Sequence, residues 1–417
     1  MERERACRSE VFRFDARVDD VPNTPELSDD GGMATKHPHP ELASELATLD
    51  PHLRARLDAA GFDADRFLGL ASTLTDGDAE ARRRERNSVK GEVTAPLPEE
   101  IRTLPAPGTA EHTRLAALGA AALARGELAF CTMAGGMATR MGGIVKALAE
   151  VVPGHTFLSM RLAENRTASA RAGRAIPLWL MTSEATHSVL VDALAKAGAP
   201  EQVACFMQDL SLRLAPDGKL FRGDDGQPSI YATGHGDLVD ALRRSKLLDG
   251  FVARGGKYVW ITNVDNLGAS IDEALLGAFI ESGSDVQCEV CSKAGDKGGI
   301  PVHAEGKLQV LEEYRLPAGF DPSRVVVFNT NTFLVRAEPI ARAALGWTYF
   351  EVEKKVEGRP AIQFERLIQE ITAHLGSTYV HVPREGAASR FLPVKDFDEL
   401  AARRARIELV ARARGMF

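Results

Sequence analysis

The sequence contains nothing close to the ~18 consecutive apolar residues of a membrane span, so no such span is expected in its 417 residues. It also lacks a basic excess. A formal charge of −7 offers none of the positive footprint that non-specific nucleic-acid binding requires. A phosphorylated ligand is not excluded, because the local field decides that. Cysteine is scarce: Cys7, Cys131, Cys205, Cys288 and Cys291 form an odd set without repeated metal spacing. The lone Cys288-Glu-Val-Cys291 lies in an apolar run with no second pair nearby, which reads as strand packing. Reduced thiols suit a cytoplasmic protein. The opening MERERACRSEVFRFDARVDD is charged and has no apolar centre, so it does not read as a secretion signal.

What is present is an ordinary globular composition, 44% hydrophobic and 26% charged, with no internal repeat. Residues 1–36 read as disordered. Residues 37–107 read as an N-terminal helical appendage and connector. In it Leu42, Leu46, Leu49, Leu53 and Leu57 recur at helical spacing, Asp50-Pro51 marks a new helix start, and TAPLPEEIRTLPAP forms a Pro-rich extended link. From Leu128 onward, residues 108–396 repeat strand, loop and helix. That alternation predicts an α/β fold: a mostly parallel, Rossmann-like sheet with helices on both faces. Residues 397–417 read as a closing helix. In such sheets ligands sit beyond the carboxyl ends of the strands, so the residues just after each apolar run matter most.

The first run ends in MAGGMATRMGGIVK, residues 133–146. Bare backbone amides beside Arg140 and Lys146 suit a polyphosphate, although no Gly-Lys-Ser/Thr closes the loop; a plain turn is the rival reading. Gln208 ends the next-but-one run and carries the donor and acceptor complement of a nucleobase edge, or else caps a loop. In TGHGDLVDALRRSKLLDG, His235 stands between Gly234 and Gly236 at a helix start, where phosphate is favoured; a buried capping histidine is the alternative. YVWITNVDNLGA sets Asn263 and Asp265 at a strand's carboxyl end, where an acid can hold Mg²⁺ against a phosphate or simply make an Asx turn. VVVFNTNTFLV puts Asn329 and Asn331 on a common face of an apolar strand. Buried amides there need partners, either sugar hydroxyls or each other.

Taken in order and with these gaps, YATGHGDLVDAL, NVDNLGASID, DKGGIPVHAEGKLQVLE, FNTNTFLV and RFLPVKDFDEL resemble the UTP–glucose-1-phosphate uridylyltransferases over about residues 128–396. The resemblance implies a GT-A-like nucleotidyltransferase that joins UTP to a sugar 1-phosphate, glucose 1-phosphate first, with release of pyrophosphate and Mg²⁺ as cofactor. Galactose or N-acetylglucosamine 1-phosphate, or a non-catalytic nucleotide-sugar-binding role, are the alternatives. By the same resemblance Ala134, Gly135 and Gly136 would seat the uridine; Arg140 is expected at the nucleotide only as a cation beside those bare amides. Lys146 would hold the triphosphate, while Gln208 and Gly234 would read the uracil. His235 would lie beside the reacting phosphates, Asp265 would serve the metal, and Asn263, Asn329 and Asn331 would meet the sugar. Lys395, in FLPVK, resembles a second phosphate-binding lysine, and Lys297 falls in a further matching segment. Two departures stand out. The family has a glycine at Ala138, whose loss of positive φ implies a different loop path, and a proline at Val145. The left-handed β-helix that the family commonly carries after FLPVK is not expected in the 22 residues that follow Lys395, so the oligomeric state is left open, a monomer included. The expected partners are the small-molecule substrates, without nucleic acid or membrane.

Overall fold

The apolar runs after Leu128 are strands of one sheet in the computed structural model, which describes residues 40–74, 77–138, 142–296 and 298–417. The expected disorder of 1–36, and the roles given to Arg140 and Lys297, lie outside the described residues. In chain order the sheet contains β1 (Ile101–Thr103), β2 (Leu128–Met133), β3 (Leu178–Thr182), β4 (Val203–Met207), β5 (Tyr258–Asn263), β6 (Val286–Ser292), β7 (Val327–Arg336) and β8 (Ser377–His381). Their lateral order is β1-β8-β6-β7-β5-β2-β3-β4. All neighbours are parallel except around β7, which runs antiparallel to both β5 and β6. The mostly parallel α/β fold is therefore as expected. Every residue of β2 and β3 is buried, which requires cover on both faces and explains why these runs do not alternate apolar with polar.

The chain steps from β2 to β3 to β4 in one direction and then returns to lay β5 on the other side of β2. Such a reversal opens a crevice beyond the carboxyl ends of the two strands that flank it. Helices hold the strands in register. Ala110–Ala124 and Glu273–Ser282 cross with their backbones in contact, because a Cβ on Gly119 would fall 1.9 Å from Glu273 O and one on Gly277 1.9 Å from Leu115 O.

The N-terminal leucines do form helices, Pro40–Ala47 and Pro51–Ala59, the second capped by Asp50. Leu42, Leu46, Leu53 and Leu57 share an apolar cluster with Leu212, Leu214, Leu220 and Ile362, so this region is packed into the body of the protein. The Pro-rich stretch differs from its reading as a connector. Ile101–Thr103 is edge strand β1, and Val93–Thr94 pairs with His303 and Ala304. The prolines flanking it hid a strand too short to show alternation. At the other end Asp396 caps the helix Phe397–Ala413, accepting from Glu399 N at 2.9 Å.

Candidate active site

Beyond the carboxyl ends of β5, β2, β3 and β4 lies a pocket of about 360 Å³. Met133, Gly135 and Gly136 enter it from β2, Met181 from β3, Gln208 from β4, and Asn263, Val264 and Asp265 from β5. Gly234, His235 and Lys146 complete the wall. Backbone bonds lace the strand ends together: Ala134 N to Met181 O at 2.7 Å, Gln208 N to Thr182 O at 2.9 Å, and Val264 N to Met133 O at 3.1 Å. Ala134 is correspondingly buried and stands behind the lining. Its amide is spent inside the sheet, so of the expected Ala-Gly-Gly seat only the glycines face the pocket.

Each glycine there has its own reason. A Cβ on Gly135 would meet Gln208 Oε1 at 2.6 Å and Ser183 N at 3.0 Å, whereas one on Gly136 would point into open space. Beyond them Met137–Ala138 and Ile144–Val145 pair antiparallel as the two arms of a hairpin. Ala138 sits in its strand, and positive φ falls at Gly142 and Gly143. Only a three-residue 3₁₀ turn, Lys146–Leu148, follows, so no helix dipole backs this loop. Lys146 is placed by its N–H bond to Gly136 O at 3.1 Å, and its Nζ donates to Asp265 Oδ2.

Asp265 rides on the turn after β5, and a side chain that sequence reasoning missed holds that turn. Arg161, 0% exposed, donates to the carbonyl oxygens of Asn263, Val264, Asn266 and Ala269, and Glu164 Oε2 accepts from its Nη1 at 2.7 Å. The only trace in the sequence is an arginine inside the apolar stretch FLSMRLA.

Gly234 takes φ +99° and must be glycine, since a Cβ would fall 2.5 Å from Arg366 O. His235 Nδ1 accepts from Ile368 N at 3.0 Å. The ring proton therefore sits on Nε2, and burial pushes the imidazole down to about 4. His235 thus offers the pocket a neutral N–H donor. Behind it Arg366 binds Asp209, Asp237 and Asp240 at 2.6–2.7 Å, a second buried cluster that the sequence did not announce.

The two asparagines of β7 do not share a face. The pairing jumps from Cys288↔Phe333 to Val290↔Asn329, a bulge in which Asn331 takes φ +58°. Asn329 Oδ1 accepts Asn331 N at 2.9 Å and the Cys288 thiol at 3.3 Å. Asn331 turns its amide to Asn263 Oδ1 at 3.2 Å, at the pocket edge. Asn329 therefore shapes the bulge, and Asn331 borders the site.

Lys395 is exposed and is not part of the lining. Its segment is tied to the Asp265 turn, with Leu392 N bound to Asn266 Oδ1 at 2.8 Å, which sets Lys395 within about 10 Å of that anchor along the chain. The structure thus gathers Lys146, His235, Asp265, Gln208, Asn263 and three glycines, and leaves the second lysine at the margin.

Among the described residues no group of three or more His, Cys, Asp and Glu surrounds a metal position. The described residues thus offer no donor set of the kind that cages a zinc. A single carboxylate, Asp265, in this pocket fits Mg²⁺, an ion that keeps waters and takes few protein ligands.

A family described as UTP–glucose-1-phosphate uridylyltransferase matches residues 84–410. The UTP–glucose-1-phosphate uridylyltransferase of Solanum tuberosum is 32% identical over 294 residues, which are 66% of this chain and 60% of that protein. The chain thus spans about three fifths of the length of such relatives. Among solved structures, a uridine diphosphate N-acetylglucosamine pyrophosphorylase from Trypanosoma brucei aligns with TM-score 0.70 at 21% identity, covering 89% of this chain and 82% of its own. A UDP-glucose phosphorylase from the same organism aligns with TM-score 0.66 at 22% identity, covering 84% and 77%. At those identities the structures speak to the fold; the sequence matches carry the descent. The chain belongs to the UTP–glucose-1-phosphate uridylyltransferase family.

Proposed function

We propose that this chain transfers the uridylyl group of UTP to glucose 1-phosphate, forming UDP-glucose and pyrophosphate. The observation that carries the reading is the convergence of Lys146, His235, Asp265 and Gln208 on one glycine-walled pocket at the sheet's reversal point. Family membership supports the same chemistry.

A phosphate oxygen of the sugar 1-phosphate attacks the α-phosphorus of UTP. The bond from that phosphorus to the α–β bridging oxygen breaks, and its electron pair leaves with pyrophosphate. The nucleophile is already an anion, so no general base is required. The difficulty lies in bringing polyanions together and in stabilising charge on the leaving group. Gly135 and Gly136 let the uracil approach the backbone, and the Gln208 amide meets its polar edge. His235 Nε2–H donates to a phosphate oxygen without adding a charge that would vary with pH. Lys146 neutralises the triphosphate, exchanging Asp265 for substrate oxygen. Asp265 would hold Mg²⁺, which when bound supplies charge neutralisation between phosphates. Asn263 and Asn331 offer amides to the sugar hydroxyls, and Asn329 keeps Asn331 in its bulge. Lys395 would act from the margin, reaching the phosphates once substrate draws its segment inward.

The test follows pyrophosphate release with Mg²⁺, UTP and the 1-phosphates of glucose, galactose and N-acetylglucosamine. Release with glucose 1-phosphate ahead of the others is expected. Tight UDP-glucose binding without release from any of the three would replace catalysis with a binding role.

A further inference from the structure

A second cavity, about 560 Å³, lies away from the catalytic pocket and shares no lining residue with it. The Pro-rich stretch that has no part in the chemistry contributes to its wall: Leu104, Pro105 and Pro107 line it together with Ile271 and Val382. Prolines fix their backbone in advance, so this wall keeps its shape without a ligand.

Its polar groups are arranged unequally. Arg171 pairs with Glu273 at 2.7 Å, Arg390 is held by Glu289, and Asp272 caps its own helix through Leu275 N. Arg414 is different. It lines the cavity, and its protein partners are carbonyl oxygens alone: Leu267 O and Gly268 O from Nη1, and Ser389 O from Nη2. Among the described residues no carboxylate is paired with it. Its Nε–H and a second Nη2–H, the edge of the guanidinium that grips an oxyanion through paired bonds, have no protein partner. A cation desolvated beside apolar walls is a costly feature unless an anion completes it. Burial also lowers its proton affinity.

We infer that this cavity is a second ligand site, taking a small molecule with an apolar body and one terminal oxyanion, carboxylate or monophosphate, gripped by Arg414. The same guanidinium holds Leu267 O and Gly268 O of the turn that carries Asp265. Glu164, another cavity residue, receives Ile271 N and anchors Arg161 beneath that turn. An anion on the free edge of Arg414 pulls on the guanidinium whose other N–H groups hold the carbonyls of that turn, and occupancy alters nucleotide affinity. This coupling rests on the proposed uridylyl-transfer reading; the site itself does not.

The full chain would be titrated with phenylacetate, phenyl phosphate and the neutral 2-phenylethanol, followed by calorimetry or ligand-observed NMR. Saturable binding of at least one anion at a Kd of about 1 mM or below is expected, with phenylethanol at least about tenfold weaker. Which anion binds more tightly distinguishes the carboxylate from the phosphate ester. Arg414→Met should weaken binding about tenfold or more, and Ala388→Trp, at an exposed position on the cavity rim, should block it while leaving thermal stability intact. Binding that survives both substitutions, or no saturable binding of either anion to the wild-type protein, overturns the site. At saturating anion the UTP Kd should move about threefold or more, and an unchanged value overturns the coupling. Should UTP not bind at all, the uridylyl-transfer reading fails while the probe titrations still decide the cavity.

Discussion

Replacing Gly135 or Gly136 by alanine separates a packing effect from a ligand effect at adjacent positions. Neither glycine has positive φ, so alanine is conformationally permitted at both and rigidifies the unfolded chain, a gain of about 0.4–1 kcal/mol. At Gly136 the added Cβ meets nothing. That variant should melt at or slightly above the wild-type temperature and lose affinity for UTP only, because the methyl occupies space the nucleotide needs. At Gly135 the methyl would stand 2.6 Å from Gln208 Oε1 and 3.0 Å from Ser183 N. The backbone amide cannot retreat, but the glutamine end can, and it must swing into the pocket. The stability cost stays near the low end of the ~1–3 kcal/mol of overpacking. The base loses an oriented amide whose paired hydrogen bonds are worth roughly 1–3 kcal/mol together, or about 5- to 150-fold in UTP affinity. Differential scanning calorimetry with UTP titration reads both. Gly135→Ala binding UTP as tightly as wild type would remove Gln208 from the base seat. Gly136→Ala losing several kcal/mol of stability would refute the geometry of the loop.

Other perturbations probe the remaining parts. Lys146→Ala should lower kcat by about 10²–10³, roughly 2.7–4 kcal/mol, with little change in fold because the lysine is only partly buried; steady-state pyrophosphate release measures it. The imidazole of His235 is held near 4 against its usual 6.5, so the unfolded chain takes up the proton first as pH falls through that window. Its contribution is absent above pH 6.5 and destabilises progressively below, by roughly 3 kcal/mol at pH 4, at about 1.4 kcal/mol for each pH unit. His235→Gln should flatten that part of the stability–pH curve in denaturant melts, and a wild-type kcat/KM profile with an inflection near pH 6.5 that vanishes in the variant would contradict a neutral donor. Asn329→Ala should raise KM for the sugar phosphate by releasing the Asn331 bulge, with UTP affinity unchanged by calorimetry. The pair Arg161→Met/Glu164→Leu should remain destabilised by at least about 2 kcal/mol in urea melts; a neutral double variant would show that the turn holds itself.

The fold was legible because long apolar runs ending in polar or glycine residues mark parallel strands and their carboxyl ends at once. Val203–Met207 is a strand with the bounds read from the sequence, and Gln208 enters the pocket at its end. What escaped were features made by contacts distant in sequence. Asn329 and Asn331 obey strand alternation on paper, yet a bulge defeats it, and a bulge is set by the mismatch between β6 and β7 rather than by either strand. Ala138 looked like a lost glycine because motif comparison assumes a common φ, whereas the hairpin moves the left-handed turns to Gly142 and Gly143. Lys395 matched a motif in line, but its reach depends on how its segment lies against the Asp265 turn. Strand β1 was hidden by prolines on both sides.

Arg161, Arg366 and Arg390 escaped for a different reason, and they explain why the pocket holds its shape. Turns that leave a sheet's edge carry carbonyl oxygens that no strand partner satisfies. Leucine behind such a turn would bury those acceptors unpaired; lysine would satisfy one direction only. A planar guanidinium answers several at once, as Arg161 does for four carbonyls along Asn263–Ala269 and Arg390 does for Ser270 O together with the Glu289 carboxylate. A buried ion pair can often be exchanged for hydrophobic residues without loss, because both partners are side chains. For Arg161 and Arg390 the carbonyl partners are backbone and cannot be exchanged, so these two are fixed by the path of the chain itself, whereas Arg366 is held by aspartate side chains. The turn bearing Asp265 is thereby held by its main chain, so the exchange of Lys146 for substrate proposed above would leave the form of the pocket intact.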